Sequence, residues 1–185
     1  MNFDGLYCEY QEAARSLDLD ETEGVILASI QRQEMFLMVK GKSVKQWVMS
    51  SSKRLPSCFQ DSLGTPWGLH EVNEKIGDGE PLGMVFEGRK AIGQIYEDCD
   101  PAKKAKNLIT TRILRLRGLQ AGLNSGAGMD SFERYIYVHG TNHENKLGKP
   151  SSSGCLQLSN LDVLELYELV CDGTHLWIEN QGLTN

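Results

Sequence analysis

The sequence predicts an α+β fold that is mainly β with a few helices. Two observations favour this class. Short β-rich runs separated by glycine- and proline-containing turns fill most of the chain, and helical periodicity is limited to one stretch near each end. A chain of 185 residues is long enough to bury a sizeable core, and its composition indicates only one. We therefore expect an N-terminal helical extension over residues 1–23 and a single domain over residues 24–185.

The first part of the chain is typical of one helix followed by a strand meander. Apolar residues recur at helical spacing over residues 4–17. We then predict three strands over residues 25–30, 35–39 and 44–49, and a polar loop over residues 50–61 that contains a proline. A fourth strand over residues 68–72 is followed by a glycine-rich loop.

The second part contains the two strands with the strongest central character, residues 109–116 and 135–139. The glycine-rich segment 118–130 between them is predicted to be a flexible connection, with a role as a wall of a substrate site as the less favoured alternative. Ser159 or Asn160 can cap a helix over about residues 161–170, and a closing strand follows over 174–179.

Charge and composition argue against several classes of partner. A net charge of −6 disfavours nucleic acid or an anionic membrane surface, and no apolar run is long enough for membrane insertion. The acidic N-terminus lacks the layout of a secretory signal, so we expect a cytoplasmic protein if Met1 is the native start, and a periplasmic one if a signal was trimmed. Five scattered cysteines, an odd number, indicate reduced thiols.

Cys155 and His139 form the best candidate for chemistry. His139 follows a strongly apolar run that is typical of a buried strand, so we expect it at the end of a rigid element. Cys155 follows two serines and Gly154, a turn that leaves backbone N–H groups free to face an oxyanion. A histidine that takes the proton of a cysteine creates a nucleophile. The pattern therefore predicts a cysteine acyltransferase or hydrolase.

Two other site chemistries are less favoured. His139 and His143 at i and i+4 share a face only on a helix, and Gly140-Thr141-Asn142 disfavours a helix, so we expect no metal. A serine of residues 151–153 is a weaker candidate nucleophile than Cys155. We also expect no cofactor, since no phosphate-binding glycine motif is present.

Beyond these residues, the chain resembles the L,D-transpeptidase catalytic domain family (YkuD-like). The family signature is a His-Gly pair, a spacer, and then Ser-His-Gly-Cys followed by an apolar residue and arginine. The resemblance covers about residues 25–180, and the segments that carry it are His139-Gly140, residues 152–157, Thr65-Pro66-Trp67-Gly68, residues 111–116, residues 134–141 and residues 160–163. It implies a mixed β-sandwich or barrel with a helix after the catalytic cysteine.

The resemblance also implies the roles of individual residues. Cys155 would be the nucleophile, His139 the base, the carbonyl of Gly140 its orienting group, and Gly154 part of the oxyanion hole. Substrate contacts would come from Ser152, Ser153, Gln157, Arg134 and Thr141. Two of these positions depart from the family, since Ser153 stands where it has histidine and Gln157 stands where it has arginine.

The function implied is action on a peptidoglycan stem tetrapeptide or muropeptide through a thioester. With the two departures and no visible export signal, the chain looks most like cytoplasmic L,D-carboxypeptidases of muropeptide recycling, which remove the terminal D-Ala. The alternatives are an L,D-transpeptidase that forms 3-3 cross-links and, less favoured, a catalytically weak muropeptide-binding module. Acylation by a β-lactam of the carbapenem type is a further expectation.

Overall fold

The computed structural model describes residues 3–179, which form a strongly curled sheet with three α-helices. The helices are α1 (Phe3–Ser16), α2 (Pro101–Lys104) and α3 (Asn160–Leu169). The strands are β1 (Gly24–Ser29), β2 (Glu34–Val39), β3 (Lys42–Val48), β4 (Gly68–Ile76), β5 (Met84–Glu87), β6 (Lys90–Ile95), β7 (Ile109–Gly118), β8 (Tyr137–Thr141), β9 (Leu156–Leu158) and β10 (His175–Ile178). The predicted α+β class is confirmed.

All ten strands belong to one mixed sheet. Its order runs β3-β2-β1-β10-β4-β7, with β8 and then β9 continuing from β7, and with the β5–β6 hairpin also attached to β7. Two pairs are parallel, β1 with β10 and β8 with β9. Beyond β9 the sheet meets its own beginning, because Ser50, just after β3, forms an antiparallel bridge with Gln157 through hydrogen bonds of 2.8 and 2.9 Å. This contact gives the sheet a barrel-like curl.

The two faces of the sheet bury different apolar groups. The larger cluster lies inside the curl and beneath α3; its members include Ile26, Met35, Leu114, Leu116, Val138, Leu156, Leu158, Val163, Leu166 and Leu176. The helix α1 covers the outer face of the first strands with Leu6, Tyr10 and Ala14. Each large side chain fully buried in this way stabilises the fold by about 1.5–3 kcal/mol relative to exposure.

Helix α3 packs against the strand that carries His139. The hydroxyl of Ser159 accepts a hydrogen bond from the Asp162 amide at 3.1 Å and caps the helix, which settles the choice between Ser159 and Asn160. At the other end, Lys75 donates to the carbonyls of Tyr167 and Val170 at 2.6 and 2.7 Å. A helix fixed at both ends packs against β7 and β8.

Strand β8 differs from the prediction. The strand was expected over residues 135–139, with His139 at its end, but it runs from Tyr137 to Thr141. Tyr135 has a φ of 57°, a left-handed conformation that interrupts regular strand geometry, and the strand begins only after it. His139 therefore lies in the middle of β8, paired on both sides.

Sequence reasoning also missed the β5–β6 hairpin and α2. Strand β6 is largely exposed and lacks the alternation of a half-buried strand, while α2 is only four residues long and begins at Pro101 after an Asp100 cap. The expected connections over residues 50–61 and 118–130 contain no helix or sheet strand apart from Gly118, the last residue of β7. Across the described residues, no helix has the length and apolar character needed to cross a bilayer.

Candidate active site

Cys155 stands at the end of a tight turn that enters β9. Gly154 has a φ of 130°, which glycine adopts more readily than other residues. A Cβ there would also lie 3.3 Å from the Cδ1 atom of Ile136, so both the backbone conformation and the available space favour glycine. The hydroxyl of Ser152 accepts from the Gly154 amide at 3.2 Å and donates to the Cys155 carbonyl at 2.6 Å. Ser152 is buried, and its side chain therefore shapes the turn.

This hydrogen bond bears on the expected oxyanion hole. The amide of Gly154 points at Ser152, so it is engaged within the turn in the resting protein. The amide of Cys155 is then the better candidate donor, and the oxyanion role of these amides stays a prediction.

The sulfur of Cys155 faces an apolar wall. The side chain packs against the apolar cluster of Met84, Phe86, Ile113 and Tyr137, and the thiol donates to the carbonyl of Tyr135 at 3.5 Å. Burial raises the pKa of the Cys155 thiol to about 11, although the backbone N–H of Tyr137 and the charge of Arg134 act in the opposite direction. At neutral pH the nucleophile therefore rests as a thiol.

His139 lies on the strand beside Cys155 and on the same face. Val138 pairs with Leu156 and His139 with Gln157 in the parallel β8–β9 ladder. Since side chains alternate along strands, Val138 and Leu156 point into the core, whereas His139 shares the other face with Cys155 and Gln157. The register thus places Cys155, the residue just before β9, on the same face as His139 and two positions before Gln157, the partner of His139.

The ring of His139 is fixed by the next residue. Its Nδ1 lies 2.7 Å from the carbonyl oxygen of Gly140, and since a carbonyl only accepts, Nδ1 donates and Nε2 keeps a free lone pair. Burial lowers the pKa of His139 to about 4, against the opposing effect of the Gly140 carbonyl. The imidazole is neutral at pH 7 and can accept a proton.

Gly140 fills a slot with no room for a side chain. A Cβ there would lie 2.7 Å from the carbonyl oxygen of Thr110, 2.9 Å from Oδ1 of Asn160 and 3.0 Å from Cγ1 of Val163. Strand β7 and helix α3 therefore approach β8 most closely at the residue that orients His139.

A buried polar network lies beneath this slot and centres on Asn160. Its Oδ1 accepts from the hydroxyls of Thr110 and Thr111, and its Nδ2 donates to the carbonyl of Thr141 at 3.0 Å and to Glu144 at 2.7 Å. Every polar atom of the carboxamide is satisfied, so the network links β7, β8 and α3 rigidly. The sequence analysis included Asn160 only as a possible cap.

Gln157 is buried rather than open to substrate. It is 1% exposed, its Nε2 donates to Asn107 at 2.8 Å, and its Oε1 accepts from Ser151 at 2.7 Å. Thr141 is equally buried and accepts from the His143 amide at 3.1 Å. Both residues were expected to contact substrate; their side chains lie beside His139 but bind other parts of the protein.

Ser153 and Arg134 line a surface cleft of about 270 Å³, together with Leu63, Tyr135 and other residues but without Cys155. Ser153 is exposed, as a substrate contact requires. The guanidinium of Arg134 donates to carbonyls and a hydroxyl of the 57–64 loop, at Ser57 (3.0 Å), Ser62 (3.3 Å) and Gly64 (2.8 Å). It anchors this loop as a wall of the cleft.

The sequence analysis did not identify three residues of the site as functional groups: Tyr135, Tyr137 and Arg89. Tyr137 neighbours Cys155, and Arg89 reaches both tyrosines from the β5–β6 turn, with an Nη1–Oη distance of 3.2 Å to Tyr137. The tyrosines were interpreted as strand residues, and the hairpin was not predicted at all. Within residues 3–179, no group of three or more His, Cys, Asp or Glu side chains is arranged to hold a metal ion.

Comparison with known proteins identifies the family. The sequence model of the L,D-transpeptidase catalytic domain (YkuD) family matches residues 23–178, which is most of the chain. The chain belongs to this family. The protein named YkuD from Bacillus licheniformis is 46% identical over 46 residues, which are 25% of this chain and 28% of that protein. The curated relatives are thus matched over little more than a quarter of their length.

Solved L,D-transpeptidases share the fold. The enzyme from Mycobacterium smegmatis is 19% identical with a TM-score of 0.50, and the match covers 85% of this chain and 59% of that one. L,D-transpeptidase 3 from Mycobacterium tuberculosis, in complex with a faropenem-derived adduct, is 16% identical with a TM-score of 0.52, covering 85% and 60%. This chain therefore spans about three fifths of these structures. The family to which it belongs is a class of cysteine-dependent enzymes.

Proposed function

We propose that this protein is an L,D-carboxypeptidase that removes the terminal D-Ala from a peptidoglycan stem tetrapeptide through a thioester on Cys155. The observation that carries the proposal is the placement of Cys155, just before β9, on the same face as His139 of the adjacent parallel strand β8, with the imidazole fixed by the Gly140 carbonyl. A short-lived covalent intermediate needs this pairing of nucleophile and oriented base.

The protonation states define the first step. Both groups rest neutral, so Nε2 of His139 takes the thiol proton as the sulfur attacks the carbonyl carbon of the third stem residue. The C–N bond to D-Ala then breaks, the imidazolium gives its proton to the leaving nitrogen, and the acyl group remains on Cys155.

Water completes the cycle. The neutral imidazole takes a proton from a water molecule, the resulting oxygen attacks the thioester carbon, and the tripeptide leaves as the sulfur regains its proton from the imidazolium. The choice of water over a second stem's amine rests on Ser153 and Gln157, which stand where the family has histidine and arginine. Soluble muropeptides are the proposed substrates, and a cytoplasmic location stays a prediction.

A β-lactam would enter by the same first step. Attack of the Cys155 sulfur on the lactam carbonyl opens the ring and leaves an acyl-enzyme, in line with the faropenem-derived adduct of the relative from Mycobacterium tuberculosis. We therefore propose covalent labelling of this cysteine by a carbapenem.

The decisive experiment is incubation of the purified protein with a tetrapeptide muropeptide, with products followed by mass. Tripeptide and free D-Ala are expected. A cross-linked dimer at matched substrate concentration would instead identify a transpeptidase, and unchanged substrate with measurable binding would identify a binding module.

A further inference from the structure

The turn of the β5–β6 hairpin carries a single arginine at its tip. Glu87 pairs with Lys90, so the loop consists of Gly88 and Arg89 alone. Both have positive φ, 54° and 68°, as a tight type I′ turn requires. Asn or Gly is the usual residue in such a position, and an arginine there adopts an uncommon backbone conformation. Strained residues of this kind cluster at functional sites.

The guanidinium of Arg89 lies against the wall of the active site. Its Nη1 donates to the phenol oxygen of Tyr137 at 3.2 Å, and its Cζ lies 4.9 Å from the ring centroid of Tyr135. Both tyrosines also contact Cys155, since the thiol donates to the Tyr135 carbonyl and the backbone N–H of Tyr137 faces the sulfur. A positive charge therefore lies against two residues that contact Cys155.

Arg89 keeps most of its hydrogen-bonding capacity, unlike the other arginines of this region. Arg134 is held by the 57–64 loop, and Arg115 forms an ion pair with Glu74 at 3.5 Å. Among the described residues, no carboxylate forms an ion pair with Arg89, and one of its five N–H groups is used. Glu74 attracts it only at longer range.

We propose that Arg89, with Tyr135 and Tyr137, forms a subsite for a substrate carboxylate close to the scissile bond. The proposal rests on the proposed function for the identity of the substrate, a stem peptide that carries carboxylates on its leaving residue and on the side chain of its third residue. It adds a cation, besides Arg134, to a site in which Gln157 stands where the family has arginine. Arg89 approaches from a different strand and binds the anion with the planar fork that suits carboxylates.

The first test measures the subsite without a peptidoglycan substrate. Iodoacetate and iodoacetamide alkylate a thiol by the same reaction, but only iodoacetate carries a carboxylate. The rates at Cys155, separated from the other cysteines by peptide mass, are compared for wild type, Arg89→Gln and the control Lys90→Gln, which removes a charge from the same hairpin. We expect the ratio of the alkylation rate with iodoacetate to that with iodoacetamide to fall about 5-fold in Arg89→Gln, because one nearby positive charge is removed. In Lys90→Gln this ratio should equal that of wild type. An unchanged ratio in Arg89→Gln, or an equal fall in both variants, overturns the subsite.

The second test identifies the carboxylate. Release of D-Ala or D-Ala amide is measured for the tetrapeptide, its C-terminal amide and its third-residue side-chain amide. For wild type, loss of the relevant carboxylate is expected to raise KM roughly 10- to 100-fold, and Arg89→Gln should abolish that difference for the same peptide. Equal KM values for all three peptides in wild type contradict the subsite and leave the proposed function standing. No turnover of any peptide, with a carboxylate-dependent alkylation ratio, contradicts the proposed function and leaves the subsite standing.

Discussion

The imidazole Nδ1 of His139 lies 2.7 Å from the carbonyl oxygen of Gly140. A residue that orients its own neighbour needs no partner from elsewhere in the fold, so the base is held in one tautomer by local backbone geometry. The position of that carbonyl is in turn fixed by the close approach of β7 and α3 at Gly140.

Replacement of Gly140 by alanine is expected to displace this carbonyl. The added Cβ would lie within 3.0 Å of three atoms of Thr110, Asn160 and Val163, and such overpacking costs about 1–3 kcal/mol. We expect a lower free energy of unfolding and a fall in kcat, measured by denaturant titration and D-Ala release. Gly24→Ala is the matched strand control, because a Cβ there makes its closest contact at 3.5 Å. Equal behaviour of both variants would contradict the tight slot.

The pH dependence of activity should be broad. His139 is a neutral base above its pKa of about 4, and Cys155 remains a thiol up to its pKa of about 11. We therefore expect kcat/KM to stay level from about pH 5.5 to about pH 9.5. A thiolate–imidazolium pair in the resting protein would instead give a bell-shaped pH profile of kcat/KM centred near pH 7. Steady-state rates in overlapping buffers distinguish the two.

Replacement of Cys155 by alanine is expected to abolish D-Ala release and to leave the melting temperature within a few degrees of wild type. The side chain is only partly buried, and its removal leaves no charged group unpaired. The exposed Cys171 is the control, and Cys171→Ala should retain full activity. Turnover by Cys155→Ala would exclude covalent catalysis at this residue.

Acid should destabilise the fold through buried histidines. His70 is fully buried between the carbonyl of Gly68 (3.0 Å) and the hydroxyl of Ser131 (2.9 Å), and burial lowers its pKa to about 4. In the unfolded chain this histidine binds a proton below about pH 6.5, whereas in the folded protein it does so only near pH 4. The free energy of unfolding is therefore highest above pH 6.5 and falls between pH 6.5 and pH 4, by about 3 kcal/mol for each such histidine. His70→Gln should reduce this loss, measured as the change in unfolding free energy from pH 7 to pH 4. His143→Gln serves as the control, and an equal slope for all three proteins would contradict the role of His70.

The two departures from the family pattern should behave differently when reversed. Gln157→Arg places a charge where the side chain is 1% exposed and hydrogen-bonded to Ser151 and Asn107, so we expect a loss of several kcal/mol of stability. Ser153→His is exposed and should be accommodated within about 0.5 kcal/mol. Denaturant titration of the single variants provides the comparison. A Gln157→Arg variant as stable as wild type would show that the pocket accepts the family arginine.

The local order of the first strands and the strand that carries His139 could be predicted because each depends on neighbours in sequence, whereas the roles of Cys155 as nucleophile and His139 as base stay predictions. Ser159 as a cap and the apolar run before His139 are examples of such local signals. The burial of Gln157 could not be predicted, since its partners Ser151 and Asn107 are brought together only by folding. Arg89 was missed for a related reason, because an exposed two-residue turn has no periodicity and its contact with Tyr137 joins distant segments.

The bridge between Ser50 and Gln157 has a consequence for the order of assembly. Strands β1 to β3 can pair with one another soon after synthesis, because their contacts are local. Closure beside Cys155 requires the last third of the chain, and β1 finds its parallel partner β10 only when residue 178 has been made. Nascent and truncated chains should therefore carry Cys155 without the closed sheet around it. Activity should then be found only in chains that have completed both pairings.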